Sequence, residues 1–347
     1  MATGPLIECV PNFSEGRDSD IIEAIVEAAR GIDGCKVIGA EADADYNRTV
    51  LTLAGQPEPV AEAAFRVIST AADLIDMRRH SGEHPRIGAV DVCPFVPLVG
   101  SDQVECAETA RRLGQRVADK LGLPVYLYGH AAGSKDRESL AALRRGQYEG
   151  LRDRMEGKDS LHDDSTRLPD LGPLEWNETV ARFGAVVIGA RPVLVAFNVN
   201  LDETDARVAR ICGSIIRSSG RLVEAPSGSK MRVPGMLEGV QGMGVRLDSH
   251  GISQVSMNLQ NVAVTDMHIA YECVRSIASD HGVEVIGSEL VGLAPLTSFL
   301  AAGRWFSRDS ESHDEGKLVE LAIEGLGLSR LGPFNPDERI IEWAANT

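Results

Sequence analysis

Short apolar runs and stretches of helically spaced apolar residues follow one another along the chain in a fixed order. Residues 6–10 are a short apolar run that reads as a buried strand. Residues 18–31 place apolar side chains at helical spacing behind a Ser/Asp-rich start suited to capping. Residues 35–39 and 48–53 read as two strands around the polar turn 43–47. A long helix over 57–76 is entered through Pro and Glu, and a strand over 89–99, a helix over 104–121 and a strand over 125–128 follow. The core of this half is therefore βαββαβ, with an added helix and strand.

The second half repeats the order. It predicts a strand over 193–201, a helix over 203–218, strands over 237–247 and 254–259 around the turn 248–251, a helix over 265–280 and a strand over 283–290. A βαββαβ order is the ferredoxin-like signature, an antiparallel sheet with two helices on one face. The expectation is an α+β fold of two tandem ferredoxin-like subdomains, residues 1–180 and 181–300, with a C-terminal helical tail over 301–347. The halves share no sequence repeat, so the duplication is one of architecture. Residues 149–177 are polar and Pro-bearing, as in a linker or long functional loop, and the Ser/Gly/Lys/Arg-rich stretch 217–234 reads as a mobile surface loop.

Composition narrows the function. The formal charge of -16 over 347 residues argues against nucleic-acid and anionic-membrane partners, both of which need a basic surface. It leaves room for a small anionic substrate held by a local group of arginines. The six cysteines are scattered and form no C-x-x-C pair, so reduced thiols in a cytoplasmic protein are expected. No secretory signal is visible, and the apolar region 184–201 is broken by Arg191 and Pro192, too interrupted for a membrane helix.

The densest polar constellation is Arg79-His80-Ser81-Gly82-Glu83-His84-Pro85-Arg86, just ahead of the strand that holds Asp91. It reads either as a solvated charged turn or as a catalytic loop carried by a rigid strand. His80, Glu83 and His84 also fit the H-x-x-E-H metalloprotease pattern. That pattern needs a continuous helix, which Gly82 and Pro85 oppose, so no metal is expected here. The glycines Gly239, Gly242 and Gly244 lack phosphate-loop or dinucleotide spacing, and no serine stands in a nucleophile elbow.

The run Glu8-Cys9-Val10-Pro11-Asn12-Phe13-Ser14-Glu15-Gly16-Arg17 resembles the opening motif of the formiminotransferase domain, the transferase half of formiminotransferase-cyclodeaminase. Asn47-Arg48-Thr49, the loop 82–86 and Asp91-Val92-Cys93-Pro94-Phe95 continue the resemblance. Residues 196–201, 254–259, 288–295 and 333–342 extend it through the second half in the same order. The resemblance implies a ligand cleft between two ferredoxin-like subdomains and at least a homodimer. Its implied reaction moves the formimino group of N-formimino-L-glutamate to N5 of tetrahydrofolate, with tetrahydrofolate as co-substrate and no metal. It puts the catalytic histidine at His84, with Glu83 beside it. Substrate contacts fall on Asn47, Arg48, Arg86 and Asp91, and folate contacts on the segment 172–184, at Gly172, Pro173, Arg182, Phe183 and Gly184. The resemblance covers the transferase half without the helical cyclodeaminase domain, so any cyclisation would fall to a separate cyclodeaminase or not occur at all. Formyl transfer from N-formylglutamate, or folate binding without turnover, are the other readings.

Overall fold

The computed structural model describes residues 4–44, 46–82, 85–159, 165–224, 228–247, 250–307 and 314–346. The chain divides into two compact units, Met1–Arg191 and Pro192–Thr347. The division falls beyond residue 180 because the apolar run Val186–Ala190 is drawn into the first unit's sheet.

In the first unit, β1 (Ile7–Cys9) and β2 (Asn12–Phe13) share one strand position. Pro11, which has no N–H to give a ladder, lies between them. There follow α1 (Ser19–Ala29), β3 (Cys35–Asp43), β4 (Arg48–Gly55), α2 (Pro57–Leu74), β5 (Val90–Pro97), α3 (Gln103–Leu121) and β6 (Val125–Gly129). Three short helices, α4 (Leu140–Leu143), α5 (Gln147–Met155) and α6 (Glu178–Phe183), lead to β7 (Val186–Ala190). The strands lie in the order β3, β4, β1/β2, β5, β7, β6. The first four positions are antiparallel, whereas β7 is parallel to both β5 and β6.

One face of this sheet packs on α1, α2 and α3 around Phe13, Phe95, Val67 and Leu113. Its other face, over β5, β7 and β6, is covered by Leu143, Leu151 and Met155 from α4 and α5. Burial on both faces explains why β7 reads Val-Val-Ile-Gly-Ala without alternation. The stretch expected to be a linker thus begins in a helix that covers the sheet.

The second unit comprises β8 (Val195–Leu201), α7 (Arg207–Ile216), β9 (Arg221–Glu224), β10 (Lys230–Val233), β11 (Val240–Leu247), β12 (Ile252–Leu259), α8 (Met267–Asp280) and β13 (Val285–Val291). Its main sheet has the order β11, β12, β8, β13 and is antiparallel throughout. Strand β8 alternates: Val195, Phe197, Val199 and Leu201 are fully buried on one side, with Asn198 and Asn200 on the other. Within the stretch expected to be a mobile loop, β9 and β10 pair antiparallel, and all eight of their residues are exposed.

The tail forms α9 (Leu296–Phe306), α10 (Glu315–Leu326), α11 (Pro336–Arg339) and α12 (Ile341–Asn346). It is tied to the edge strand β13: Ser288 Oγ donates to the carbonyl of Leu326 at 2.7 Å, and the Ser288 N–H to that of Gly327 at 3.3 Å. Among the described residues no helix is long and apolar enough to cross a membrane.

Candidate active site

The polar loop ahead of β5 is fixed at both ends. Glu83 and His84 lie outside the described residues, but their flanks do not. On the near side, Asn47 is buried with a left-handed φ of 49°, a conformation asparagine tolerates better than most residues. Its amide donates to the carbonyl of Ser81 at 2.9 Å and accepts the Gly16 N–H at 3.0 Å. Gly82 packs so closely over this turn that a Cβ would stand 2.3 Å from the Tyr46 carbonyl, so no larger residue fits. Thr49 Oγ1 donates to the Glu15 carbonyl at 2.6 Å, and Ser14 Oγ to that of Gly88 at 2.8 Å. The opening motif and the polar loop are thereby stitched together.

On the far side Arg86 is buried. Its Nε donates to His80 Nδ1 at 3.1 Å, while Nη1 and Nη2 grip the Glu149 carboxylate at 2.8 and 2.6 Å. Longer contacts to Gln147 Oε1 (3.3 Å) and the His80 carbonyl (3.4 Å) complete its donors. All five guanidinium hydrogens therefore have protein acceptors, and Arg86 serves as an anchor. The guanidinium can only donate, so His80 Nδ1 accepts. The imidazole proton is then on Nε2, which faces the Asn47 carbonyl at 2.9 Å. His80 is thus a neutral bridge between Arg86 and the 46–47 turn.

Burial holds the His80 pKa below its usual value and the Arg86 charge adds to that, against the opposing pull of the Asn47 carbonyl. The unfolded chain, with histidine near 6.5, takes up this proton first as the pH falls. Folding stability tied to His80 is therefore present above about pH 6.5 and declines as the pH drops toward the lower folded value. The urea midpoint of the wild type should fall more between pH 7.5 and 5.5 than that of His80→Gln. Parallel shifts in the two proteins would show that His80 does not titrate this way.

Behind the loop stands Asp91, 1% exposed. It accepts the Ile87 N–H at 3.0 Å and Arg144 Nε at 3.1 Å, with a second bond from Arg144 Nη2. Burial raises its pKa despite the Arg144 charge that opposes the rise. Arg48, partly exposed at the start of β4, lies in the field of Asp91 and Arg144. Burial lowers its pKa while Asp91 and Asp43 pull it back.

The segment 172–184 divides. Gly184, at φ 83°, bridges Gly88, and the Phe183 carbonyl takes the Ala89 N–H at 2.7 Å, so this end lies beside the polar loop. Yet the Phe183 side chain is in the core, and Arg182 donates to the carbonyl of Asp73 at the end of α2. Gly172 and Pro173 follow Leu171, which bridges Val125 at the start of β6, two strand positions from β5. The structure brings together Asn47, Arg48, Arg86, Asp91 and Gly184, and leaves Gly172, Pro173 and the side chains of Arg182 and Phe183 out of that group.

Residues 6–191 match the formiminotransferase domain, N-terminal subdomain, and residues 196–346 match the formiminotransferase domain. The chain belongs to the formiminotransferase domain family. It is 42% identical over 340 residues to the formimidoyltransferase-cyclodeaminase of Rattus norvegicus, covering 97% of this chain and 59% of that protein. It is 37% identical over 320 residues to the glutamate formimidoyltransferase of Streptococcus pyogenes serotype M1, covering 92% and 99% of the two chains. To the glutamate formimidoyltransferase of Thermoplasma acidophilum it is 39% identical over 321 residues, covering 92% and 97%.

Two residues of this formiminotransferase domain, Arg144 and Glu149, escaped the sequence reading, as did the bridging role of His80. Arg144 and Glu149 meet their partners across 53 and 63 residues, a separation at which charge pairing leaves no periodic trace. Among the described residues no group of three or more His, Cys, Asp or Glu side chains stands together as a metal site.

Proposed function

We propose that the chain is a glutamate formimidoyltransferase, carrying the formimino group of N-formimino-L-glutamate to N5 of tetrahydrofolate and releasing glutamate. The observation that carries this reading is the near-complete mutual coverage with the two microbial proteins of that name, which leaves little of either chain outside the match. The strand order β11, β12, β8, β13, with β–α–β–β–α–β connectivity, supports a ferredoxin-like second subdomain. The first unit repeats that order at β3, β4, β1/β2, β5 and adds two parallel strands. The reading keeps a cytoplasmic homodimer and tetrahydrofolate as co-substrate.

In the reaction N5 attacks the amidine carbon, a C–N bond forms, and the bond from that carbon to the glutamate nitrogen then breaks. A proton leaves N5 and one joins the departing amine. His84 is assigned both transfers, because histidine titrates near neutrality. Glu83 faces the positive charge of the amidinium in this assignment. Asn47, His80 and Arg86 hold the loop, and Asp91 with Arg144 holds its base. Arg48, a partly exposed cation of the group, is assigned to a substrate carboxylate. Folate contacts from the segment 172–184 are assigned to the backbone around Gly172, Pro173 and Gly184, since the Arg182 and Phe183 side chains are engaged elsewhere.

Steady-state assays with tetrahydrofolate and either N-formimino-L-glutamate or N-formyl-L-glutamate test the reading. Turnover with the formimino donor is expected. Preference for the formyl donor would replace the reaction, and absence of turnover with both would leave only a folate-binding protein.

A further inference from the structure

The side of the second unit's sheet that bears Asn198 and Asn200 carries a polar cluster in cross-strand register. Gln254 stands opposite Asn200, and Glu289 opposite Asn198. An uncovered face of an antiparallel sheet is ordinarily polar and wet. Here, however, Asn198, Asn200 and Gln254 are 9%, 0% and 3% exposed, so three amides are withdrawn from water. Burying amides is unfavourable unless they are bonded, and their bonds converge on one group. Gln254 Nε2 donates to Glu289 Oε2 at 3.0 Å and to Asn200 Oδ1 at 2.8 Å. Asn198 Nδ2 donates to the same Glu289 Oε2 at 3.2 Å. Asn200 Nδ2 is buried and has no partner among the described residues.

Glu289 itself remains partly exposed. It also lines a cavity of about 260 Å³ together with His250, Arg339 and Phe334. Two amide donors on one oxygen fix the plane of the carboxylate and occupy only part of its accepting capacity, which is about four lone pairs. With Oε2 taken by the two amides, the unused lone pairs of this cavity-lining residue are on Oε1, and a single oxygen held in place can accept two convergent, coplanar N–H groups. Such a pair is carried by an N–C–N unit. Both substrates of the proposed reaction have one: the amidine of N-formimino-L-glutamate, and the 2-amino-4-oxopyrimidine edge of the tetrahydrofolate ring.

We propose that Glu289, oriented by Asn198 and Gln254, is a substrate-binding residue that recognises the N–C–N donor edge of one of these two molecules. The inference rests on the transferase reading, and its test is separable from it. Wild-type turnover is measured first; its absence sinks the transferase reading itself. Binding of N-formimino-L-glutamate and of tetrahydrofolate, each alone, is then measured by calorimetry on the wild type and on Glu289→Gln, with thermal unfolding of both proteins. Glu289→Gln keeps the shape but offers an N–H where the ligand presents one. One ligand should bind about tenfold or more weakly and the other within about twofold, which also identifies the source of the edge. Unchanged affinity for both, in a protein that turns over, overturns the assignment, as does an equal loss for both.

A ligand-side measurement decides the matter even if the variant folds poorly. N-formyl-L-glutamate lacks the imino N–H, and a tetrahydrofolate analogue with hydrogen in place of the 2-amino group lacks the other. The analogue of the recognised ligand should bind the wild type about tenfold or more weakly than its parent. If both analogues bind as their parents do, Glu289 does not read this edge.

Discussion

His84→Ala is expected to lower kcat by about 10²-fold or more while leaving folate affinity nearly unchanged. The interaction lost belongs to proton transfers at N5 and at the glutamate amine rather than to ground-state binding. The flanks of His84 are fixed whatever stands at that position: Gly82 fits only as glycine over the 46–47 turn, and Arg86 spends all its donors on His80, Gln147 and Glu149. Removing the imidazole should therefore leave the loop in place. His80→Ala should act differently. It removes the bridge between Arg86 and Asn47, so its effect should appear in thermal unfolding as well as in turnover, and be milder on kcat. Stopped-flow turnover with separately measured folate affinity checks this. Equal losses of kcat in the two variants, or inactivation of the wild type by a chelator, would sink the assignment.

Asp91→Ala should destabilise the first unit by about 3–5 kcal/mol, the range for removing one partner of a buried ion pair. The carboxylate is almost wholly buried, so its loss leaves Arg144, 15% exposed at its side chain, without its bidentate acceptor. It also leaves the Ile87 N–H without the bond that shapes the start of β5. Much of the cost is the stranded guanidinium. The double variant Asp91→Leu/Arg144→Met, which removes both charges and keeps apolar volume, should therefore recover a large part of the stability. Urea unfolding of the three proteins measures this. A double variant no more stable than Asp91→Ala would show that the stranded Arg144 guanidinium is not the main cost.

The antiparallel parts of the fold were legible because their periodicities differ so plainly. Val195, Phe197, Val199 and Leu201 alternate with polar residues, and 103–121 keeps a helical spacing of apolar side chains. Strand β7 was hidden for the opposite reason. Covered on both faces, it has no alternation, and it runs by sequence into the apolar stretch that continues through β8, with only Arg191 and Pro192 between. The strand pair β9–β10 was read as a loop because all eight of its residues are exposed, leaving no apolar face to count. At the site, the cluster from Arg79 to Arg86 was visible as a concentration of charge. What the pattern could not say was that Arg86 turns inward to Glu149 and His80. One guanidinium looks like another in sequence, and only long-range packing decides which faces a neighbour.

Strand β7 lies between β5 and β6 although it is the last strand of the unit to be synthesised. Until residue 190 has left the ribosome, β5 and β6 have no shared neighbour, and the Ala89 N–H and Ile87 carbonyl lack their bonds to Phe183 and Ala185. Within the first unit, the base of the polar loop is thus completed only by the chain that closes the sheet. A nascent chain ended before that point would lack the strand that closes the first unit's sheet, so the support of the polar loop is completed in one late step of that unit's synthesis rather than strand by strand.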